Sequence, residues 1–232
     1  LWSSAVLFII PPRQSIPDSA TMCYCYDMGK FSKGAIQRLQ LHVFQGKTSL
    51  QVFTEMYTLL SSDLEKARKA AQNENDEYYR RVYLLMLHSF VEAVLFRLKQ
   101  HLLDQRENLG ITITDNEKLV LDEQTVEMLE NGTLQRKDLM VTQKKNLKFT
   151  LKFLKRKLDL DREPDFGGHG WESYCYSLEK RNSLAHPKFP GDLQISDDDL
   201  ETVTKADDWI MEELVSIMNG FSKLSGAKQG DN

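Results

Sequence analysis

Residues Val82–Leu98, with the sequence VYLLMLHSFVEAVLFRL, decide the fold class, because a helix over them carries apolar side chains on nearly every face. A helix that is apolar all round is usually the buried central element of a globular fold. The predicted helix extends from Glu77 to about Glu107, and the few polar residues in its apolar part include His88, Ser89 and Glu92. These three side chains therefore need partners.

Apolar residues that recur every three or four positions predict further helices around the central one. They occupy segments 49–72, 140–158, 171–184 and 196–220. Ser196 is a suitable N-cap for the last helix, and Asp197–Asp199 place three acids where the helix dipole favours them. Alternation over 111–121, around Asp115-Asn116, predicts a small hairpin, with a short helix after it that ends at Gly132. The fold class is therefore all-α: a bundle of four to five helices with a small inserted β-hairpin.

The composition is that of a globular chain, since 41% of the 232 residues are hydrophobic and 28% are charged, with a net charge of −4. This charge argues against a broad, coat-like nucleic-acid binder but leaves room for a local basic site. The longest uncharged apolar run, Ala5–Ile10, is far shorter than the roughly 20 residues of a bilayer span, so no membrane association is expected. Three cysteines cannot form a disulfide framework, which predicts a reducing, cytoplasmic compartment.

Changes in composition along the chain predict three regions. Residues 1–45 are expected to form a poorly ordered N-terminal extension, since prolines and small residues interrupt the apolar run at its start. A signal peptide at Ala5–Ile10 and a start at Met22 are the alternatives for this segment. Residues 46–222 are expected to form the bundle, and residues 223–232 a flexible tail.

Two short motifs are rejected on spacing. Gly46-Lys47-Thr48 is similar to part of a phosphate-binding loop, but the glycine that such a loop needs five residues earlier is Leu41. Cys23 and Cys25 lack the second ligand cluster of a structural zinc site, and Cys175 stands alone. No metal site is expected.

Seven basic residues lie between residues 144 and 157, and no acid interrupts them. Four of them recur at every fourth position and form a stripe on one helix: Lys144, Lys148, Lys152 and Arg156. The stripe predicts a track for the phosphates of a nucleic acid, which would position the polymer without reading its sequence. The alternative is a solvated face whose charge is balanced by neighbouring acids. Acids are concentrated elsewhere, with eight acids and one base over Asp197–Glu213.

The residues best suited to chemistry are Arg181-Asn182-Ser183-Leu184-Ala185-His186, followed by Pro187. Arg is permanently charged and binds phosphate with a fork of donors, whereas His titrates near neutrality and transfers protons. Because Pro187 disfavours helical geometry before it, His186 is expected at or just past a helix C-terminus, where the dipole favours imidazolium. Five helical residues turn about 140°, so the helix must loosen or the two groups must meet in a cleft. The alternative is a structural Arg with a capping His.

The pattern Arg181-Asn182-x-x-x-His186 resembles the R-polar-x3-H signature of HEPN domains, a family of helical bundles. The surrounding order agrees: a basic amphipathic helix, then Trp171-Glu172 at the start of the motif helix, then Asp192-Leu193 and an acid-capped last helix. The resemblance covers roughly Leu50 to Phe221 and is densest from Met140 to Trp209.

This resemblance implies a metal-independent endoribonuclease that uses no cofactor and acts on RNA as a homodimer, with both motifs in one cleft. By this likeness Arg181 binds and polarises the scissile phosphate, His186 is the general acid or base, and Asn182 orients the site. The RNA 2′-hydroxyl attacks the adjacent phosphate and leaves a cyclic phosphate. Such domains occur in toxin–antitoxin, abortive-infection and other antiviral systems, so an antitoxin or another defence protein is a possible partner.

Lys188 stands two residues after His186, where some HEPN toxins carry a Tyr that a partner enzyme modifies. That mode of control is therefore not expected. Its positive charge instead adds Lys188 to the predicted RNA-binding residues.

Glu92 and His88 are predicted to support the motif from the central helix. A carboxylate in an apolar helix needs a partner, because an unpaired buried charge is costly. Arg181 is the obvious partner, so Glu92 is expected to fix its guanidinium, and His88, one turn earlier, could join them. A solvent-facing Glu92 is the alternative. A metal held by His88 and Glu92 alone lacks a second pair of ligands.

Two functions of other classes stay open at this point. One is a catalytically silent HEPN bundle that binds a protein partner or a nucleotide. The other is a helical scaffold in which Arg181 and His186 only cap a helix.

Overall fold

The computed structural model describes residues 48–74 and 76–229. Six α-helices and one two-stranded sheet lie within these residues. They are α1 (Ser49–Asn73), α2 (Glu77–Gln105), α3 (Asp115–Leu121), β1 (Gln124–Met128), β2 (Leu134–Asp138), α4 (Gln143–Lys157), α5 (His169–Ala185) and α6 (Asp197–Gln229), with a short 3₁₀ helix (Pro190–Leu193) before α6. The predicted extension over residues 1–45, with Cys23 and Cys25, lies outside the described residues.

Helix α2 is the centre of the fold, as its apolar sequence predicts. Tyr83, Leu84, Leu87, Val91 and Leu95 are completely buried along it. It packs against all five other helices of the described chain. Within these residues, no helix combines the length and the apolar character that crossing a bilayer requires.

Helices α1 and α2 form an antiparallel pair, because only three residues separate them. Each begins at a side-chain cap. Thr48 accepts a hydrogen bond from the backbone of Gln51, whose side chain returns one to the Thr48 backbone, and Asp76 accepts from the backbone of Tyr78. The caps satisfy helix-end amides and so define where both helices start.

The order of hairpin and short helix is the reverse of the prediction. Residues Asp115–Leu121 are helical because Thr114 and Glu117 form a capping box, so Asp115-Asn116 begins a helix instead of making a hairpin turn. The hairpin follows, and β1 pairs antiparallel with β2 from Gln124↔Asp138 to Met128↔Leu134. Gly132 lies in its turn at φ +78, a left-handed conformation that glycine adopts freely.

Helix α6 is longer than predicted. Gly220 does not end it, and the predicted tail from residue 223 is helical as far as Gln229. A side chain at Gly220 would place its Cβ 2.7 Å from Leu160, so the glycine allows close packing within the helix. Ser196 caps α6 as predicted, accepting from the backbone of Asp199 at 3.1 Å.

Candidate active site

The motif residues lie at the C-terminal end of α5. The helix stays regular through Ala185, and His186 then leaves helical geometry with φ −136 and ψ 58. The backbone N–H of His186 still donates to the carbonyls of Asn182 (3.1 Å) and Ser183 (3.3 Å). The His186 side chain is exposed beside the last helical turn. The helix therefore does not loosen between Arg181 and Ala185, and the change of direction occurs at the residue before Pro187.

Arg181 has partners on both sides. Its Nη2 lies 3.7 Å from Oε1 of Glu92 on α2, and its Nη1 donates to Oδ1 of Asn182 at 3.2 Å. Of the side-chain surfaces, 21% is exposed for Arg181 and 49% for Glu92. The ion pair is too long to be a hydrogen bond, so it orients the guanidinium without engaging its donors strongly. The structure thus brings Glu92 to Arg181. Glu92 is half exposed, however, so it does not need Arg181 to compensate a fully buried charge.

Two opposing influences act on the Glu92 carboxyl. Partial burial raises its pKa most, and the charge of Glu123 raises it further. The neighbouring Arg181 lowers it, with a net shift above the ordinary value. Glu92 therefore depends on the guanidinium for part of its charge stabilisation.

His88 lies one turn before Glu92 on α2. It contacts the motif helix α5 at Ser177, whereas Arg181 was the predicted neighbour. Its Nε2 lies 3.1 Å from Oγ of Ser177, whose hydroxyl donates to the carbonyl of Tyr174 at 2.9 Å. Since Ser177 donates elsewhere, the hydroxyl accepts from His88 and Nε2 carries the proton. Tyr174, Ser177 and Arg181 are spaced i, i+3 and i+7, so one face of α5 meets His88 and Glu92 of α2.

Sequence reasoning missed Ser177 and Tyr174. The signal that could have found them is their spacing from Arg181, because a seven-residue interval places all three on one helical face. Gln143 was missed as well, and it joins α4 to this region by donating from Nε2 to the carbonyl of His88 at 3.2 Å.

The surroundings of His88 keep its ring neutral. The side chain is completely buried, and burial together with the charge of Arg181 lowers its pKa to about 3. Among the described residues, the buried His88 Nδ1, Tyr174 hydroxyl and Gln143 Oε1 have no hydrogen-bond partner. His88 therefore serves as a neutral donor to Ser177, and it is not suited to proton transfer near neutrality.

The basic stripe divides into an open part and a neutralised part. Lys144, Lys148 and Lys152 are exposed, and no acid of the described chain lies within ion-pair distance of their ammonium groups. Their side chains run over two rings of the α4–α5 region. Lys144 lies 5.6 Å from the Trp171 ring centroid, while Lys148 and Lys152 lie 5.1 Å and 5.7 Å from that of Phe166. The rings hold the three charges on one outward face.

Three other bases of α4, Lys155, Arg156 and Lys157, are bound to acids. Lys155 is buried and pairs with the buried Glu213 at 2.6 Å. Glu117 receives both Arg156 at 3.4 Å and Lys157 at 3.1 Å. The open part of the predicted stripe is therefore limited to Lys144, Lys148 and Lys152, and Arg156, although exposed, is partly balanced by its acid.

Lys188 lies in a constrained turn after the motif. The Asp192 carboxylate accepts from the backbone N–H of Lys188 at 2.8 Å and of Phe189 at 3.0 Å. These two bonds lower the pKa of Asp192. The Lys188 side chain is exposed and stands two residues from His186. The turn therefore presents an exposed basic side chain two residues after His186.

No cluster of three or more potential metal ligands of the His, Cys, Asp or Glu type occurs among residues 48–74 and 76–229. Comparison with family models, curated proteins and solved structures finds no match for this chain.

Proposed function

We propose that this chain is a metal-independent endoribonuclease of HEPN type. The observation that carries the proposal is the position of Arg181, a permanently charged phosphate ligand near the C-terminal end of α5. Its Nη2 lies 3.7 Å from Oε1 of Glu92, and His186 follows the last residue of the same helix. An anchored cation and an exposed imidazole, five residues apart at the end of one regular helix, are the two kinds of group that phosphodiester cleavage needs, for charge stabilisation and for proton transfer.

The roles follow from the chemistry of each group. Arg181 binds the scissile phosphate and stabilises the charge that develops on it, while Asn182 and Glu92 orient the guanidinium. The 2′-oxygen of RNA bonds to phosphorus and loses its proton to a base, and the bond to the 5′-oxygen breaks as an acid protonates that oxygen. The products are a 2′,3′-cyclic phosphate and a 5′-hydroxyl. No redox step occurs, and protons balance.

A homodimer would complete this chemistry. The reaction needs one base and one acid, and His186 can hold only one of these states at a time. A second copy of the motif in the same cleft would supply the other state. His88 cannot take that part, because it is buried and its pKa is lowered to about 3.

The outward face of α4 that carries Lys144, Lys148 and Lys152, here called the lysine face, adds a surface for the rest of the RNA. Trp171, beneath Lys144, and Arg181 are ten residues apart on α5, which corresponds to about 15 Å along the helix. Phosphates on either side of the cleavage point could therefore contact the lysines while one phosphate occupies the motif. Binding of this kind is electrostatic and does not select a sequence.

A role in toxin–antitoxin, abortive-infection or related antiviral defence is the biological setting that we propose for this activity. An RNA-cleaving chain that is harmful to its own cell needs a partner that restrains it. An antitoxin or another defence-system protein would be that partner.

An RNA cleavage assay in EDTA tests the proposal. Wild type is compared with His186→Ala, Arg181→Ala and a control, Lys223→Ala, which changes an exposed base elsewhere. We expect cyclic-phosphate products from wild type and the control, and a loss of at least about a hundredfold for both motif variants, the lower range of a general acid–base contribution. Equal cleavage by wild type and His186→Ala would overturn the proposal.

The second candidate is a non-catalytic module that binds a protein or a nucleotide. It is favoured by the two intramolecular partners of Arg181, Glu92 and Asn182, which give the side chain a structural role without substrate. A folded dimer that binds RNA or a nucleotide but yields no cleavage products would support this candidate.

A further inference from the structure

Phe189 is a large apolar side chain in an unusual setting. Its side chain is 70% exposed, the highest value for any aromatic residue among the described exposed hydrophobics. It follows Lys188 directly and lies three residues after His186, so its Cα is at most about 11 Å from that of His186. The ring is therefore available to an RNA strand bound at His186.

The backbone that carries Phe189 is fixed on both sides. Its N–H donates to Asp192 at 3.0 Å, and its carbonyl accepts from the Asp192 N–H at 3.0 Å. Pro190 follows it and restricts the chain further. The turn is attached to the central helix, because Arg81 donates to the carbonyl of Leu193 at 3.0 Å. The ring is therefore held in solvent by a constrained turn.

We infer that Phe189 is a stacking platform for an unpaired nucleobase next to the phosphate bound at Arg181. This inference rests on the proposed function. An aromatic face binds any base through stacking, and it adds most when its backbone is already ordered. Two basic residues lie close in the chain, since Lys188 precedes the ring directly and His186 lies three residues before it, while the Asp192 carboxylate is engaged by the backbone of the turn. Exposed bases beside an exposed ring suit a nucleic acid better than an apolar protein surface.

The role assigned to Phe189 is that of a specificity-determining residue. It would select RNA segments whose bases are unstacked at the cleavage point, because a base within a duplex cannot leave its neighbours without cost. It would favour no single base strongly, since every base has an aromatic face.

The test uses a short, fluorescently labelled oligodeoxynucleotide with one ribonucleotide, so that cleavage occurs at one known phosphate. Two further versions carry an abasic residue on one or the other side of that phosphate. Wild type is compared with Phe189→Ala, Phe189→Leu and Phe189→Trp. The control is Leu59→Ala, which removes a 63% exposed side chain on α1.

We expect Phe189→Ala and Phe189→Leu to lower kcat/KM about 5- to 100-fold on the intact strand, the equivalent of one stacked base. Phe189→Trp and Leu59→Ala should stay within about twofold of wild type. On one of the two abasic strands, wild type and Phe189→Ala should become equal, because no base remains to stack. Equal losses on all three strands, or wild-type activity in Phe189→Leu, would overturn the inference.

Two further measurements separate this inference from the proposed function. If wild type and His186→Ala cleave equally, the proposed function fails, and fluorescence anisotropy with the same strands then tests stacking through binding alone. Absence of binding would overturn both. Sedimentation of Phe189→Ala tests the protein-contact alternative, since a shift from dimer to monomer would assign Phe189 to an interface between protein chains and overturn its role in stacking.

Discussion

Nε2 of His88 lies 3.1 Å from Oγ of Ser177, and this contact joins the central helix α2 to the motif helix α5 within the core. Both side chains are completely buried. The bond holds the two helices in register, so that Glu92, one turn after His88, comes opposite Arg181, one turn after Ser177. The candidate site therefore depends on a buried polar contact that lies outside it.

Stability should fall in mild acid because of His88. Its folded pKa is lowered to about 3, whereas the unfolded value is near 6.5, so below pH 6.5 the unfolded chain binds a proton that the folded chain does not. The free energy of unfolding should then decrease by up to about 1.4 kcal/mol per pH unit from this group as pH falls from 6.5 towards 3. His88→Gln removes the titration, and urea unfolding at pH 7.5, 5.5 and 4.5 measures it. Parallel pH profiles for the two proteins would contradict the prediction.

Ser177→Ala should destabilise the fold. The substitution leaves the Nε2–H of His88 buried without its acceptor, which costs about 1–3 kcal/mol. Ser183→Ala is the matched control, since that hydroxyl is partly exposed and donates to a carbonyl of its own helix at 3.2 Å. Chemical denaturation should show a change below about 0.5 kcal/mol for the control. Equal midpoints for the two variants would argue against a structural role for the bond.

The lysine face should control RNA affinity and its salt dependence. Replacing Lys144, Lys148 and Lys152 with Gln should weaken binding of single-stranded RNA and reduce the slope of log K against log salt by about 2, from three phosphate contacts. The control triple substitutes three exposed lysines that already pair with acids of their own helices: Lys66, Lys69 and Lys205. Anisotropy titrations over a salt series distinguish the two. The same change of slope in both triples would exclude a specific track.

Glu92→Gln should impair cleavage without loss of stability. The side chain is 49% exposed, so its replacement should change the free energy of unfolding by less than about 0.5 kcal/mol. Losing the charge that orients Arg181 should lower the cleavage rate about tenfold, the equivalent of 1.4 kcal/mol. Cleavage kinetics and denaturation are measured on the same preparation. Full activity at unchanged stability would show that Glu92 does not position Arg181.

Removing one member of the buried ion pair Lys155–Glu213 should destabilise the fold more than replacing both members. Lys155→Met leaves the completely buried Glu213 carboxylate with Arg162 at 2.5 Å as its remaining partner, and should destabilise the fold by up to about 3–5 kcal/mol. The double variant with Glu213→Leu should recover most of that loss, because apolar side chains can fill the space. Thermal unfolding of both variants tests the prediction. A double variant as unstable as Lys155→Met would indicate that the pair itself stabilises the fold.

The elements that the sequence predicts well are those with strong local signals. The central helix follows from its continuous apolar surface, and the cap at Ser196 follows from residue type. The order of hairpin and short helix was predicted wrongly because Asp115-Asn116 favours turns, while the capping box between Thr114 and Glu117 favours a helix. Gly220 was predicted to end α6, but the helix continues through it. The close contact with Leu160 explains why the residue is a glycine.

The sequence alone determined the all-helical class, the position of His186 at a helix end and the clustering of bases on α4, because helix periodicity and proline restriction act over a few residues. Only the tertiary structure decided which of those bases remain open. Lys155 enters the core and pairs with Glu213, whereas Lys148 stays exposed above Phe166. The tertiary structure also determines that Ser177 is the partner of His88. Such choices depend on which distant helix packs against each face, and burial of a polar group is tolerated only where that neighbour supplies its partner.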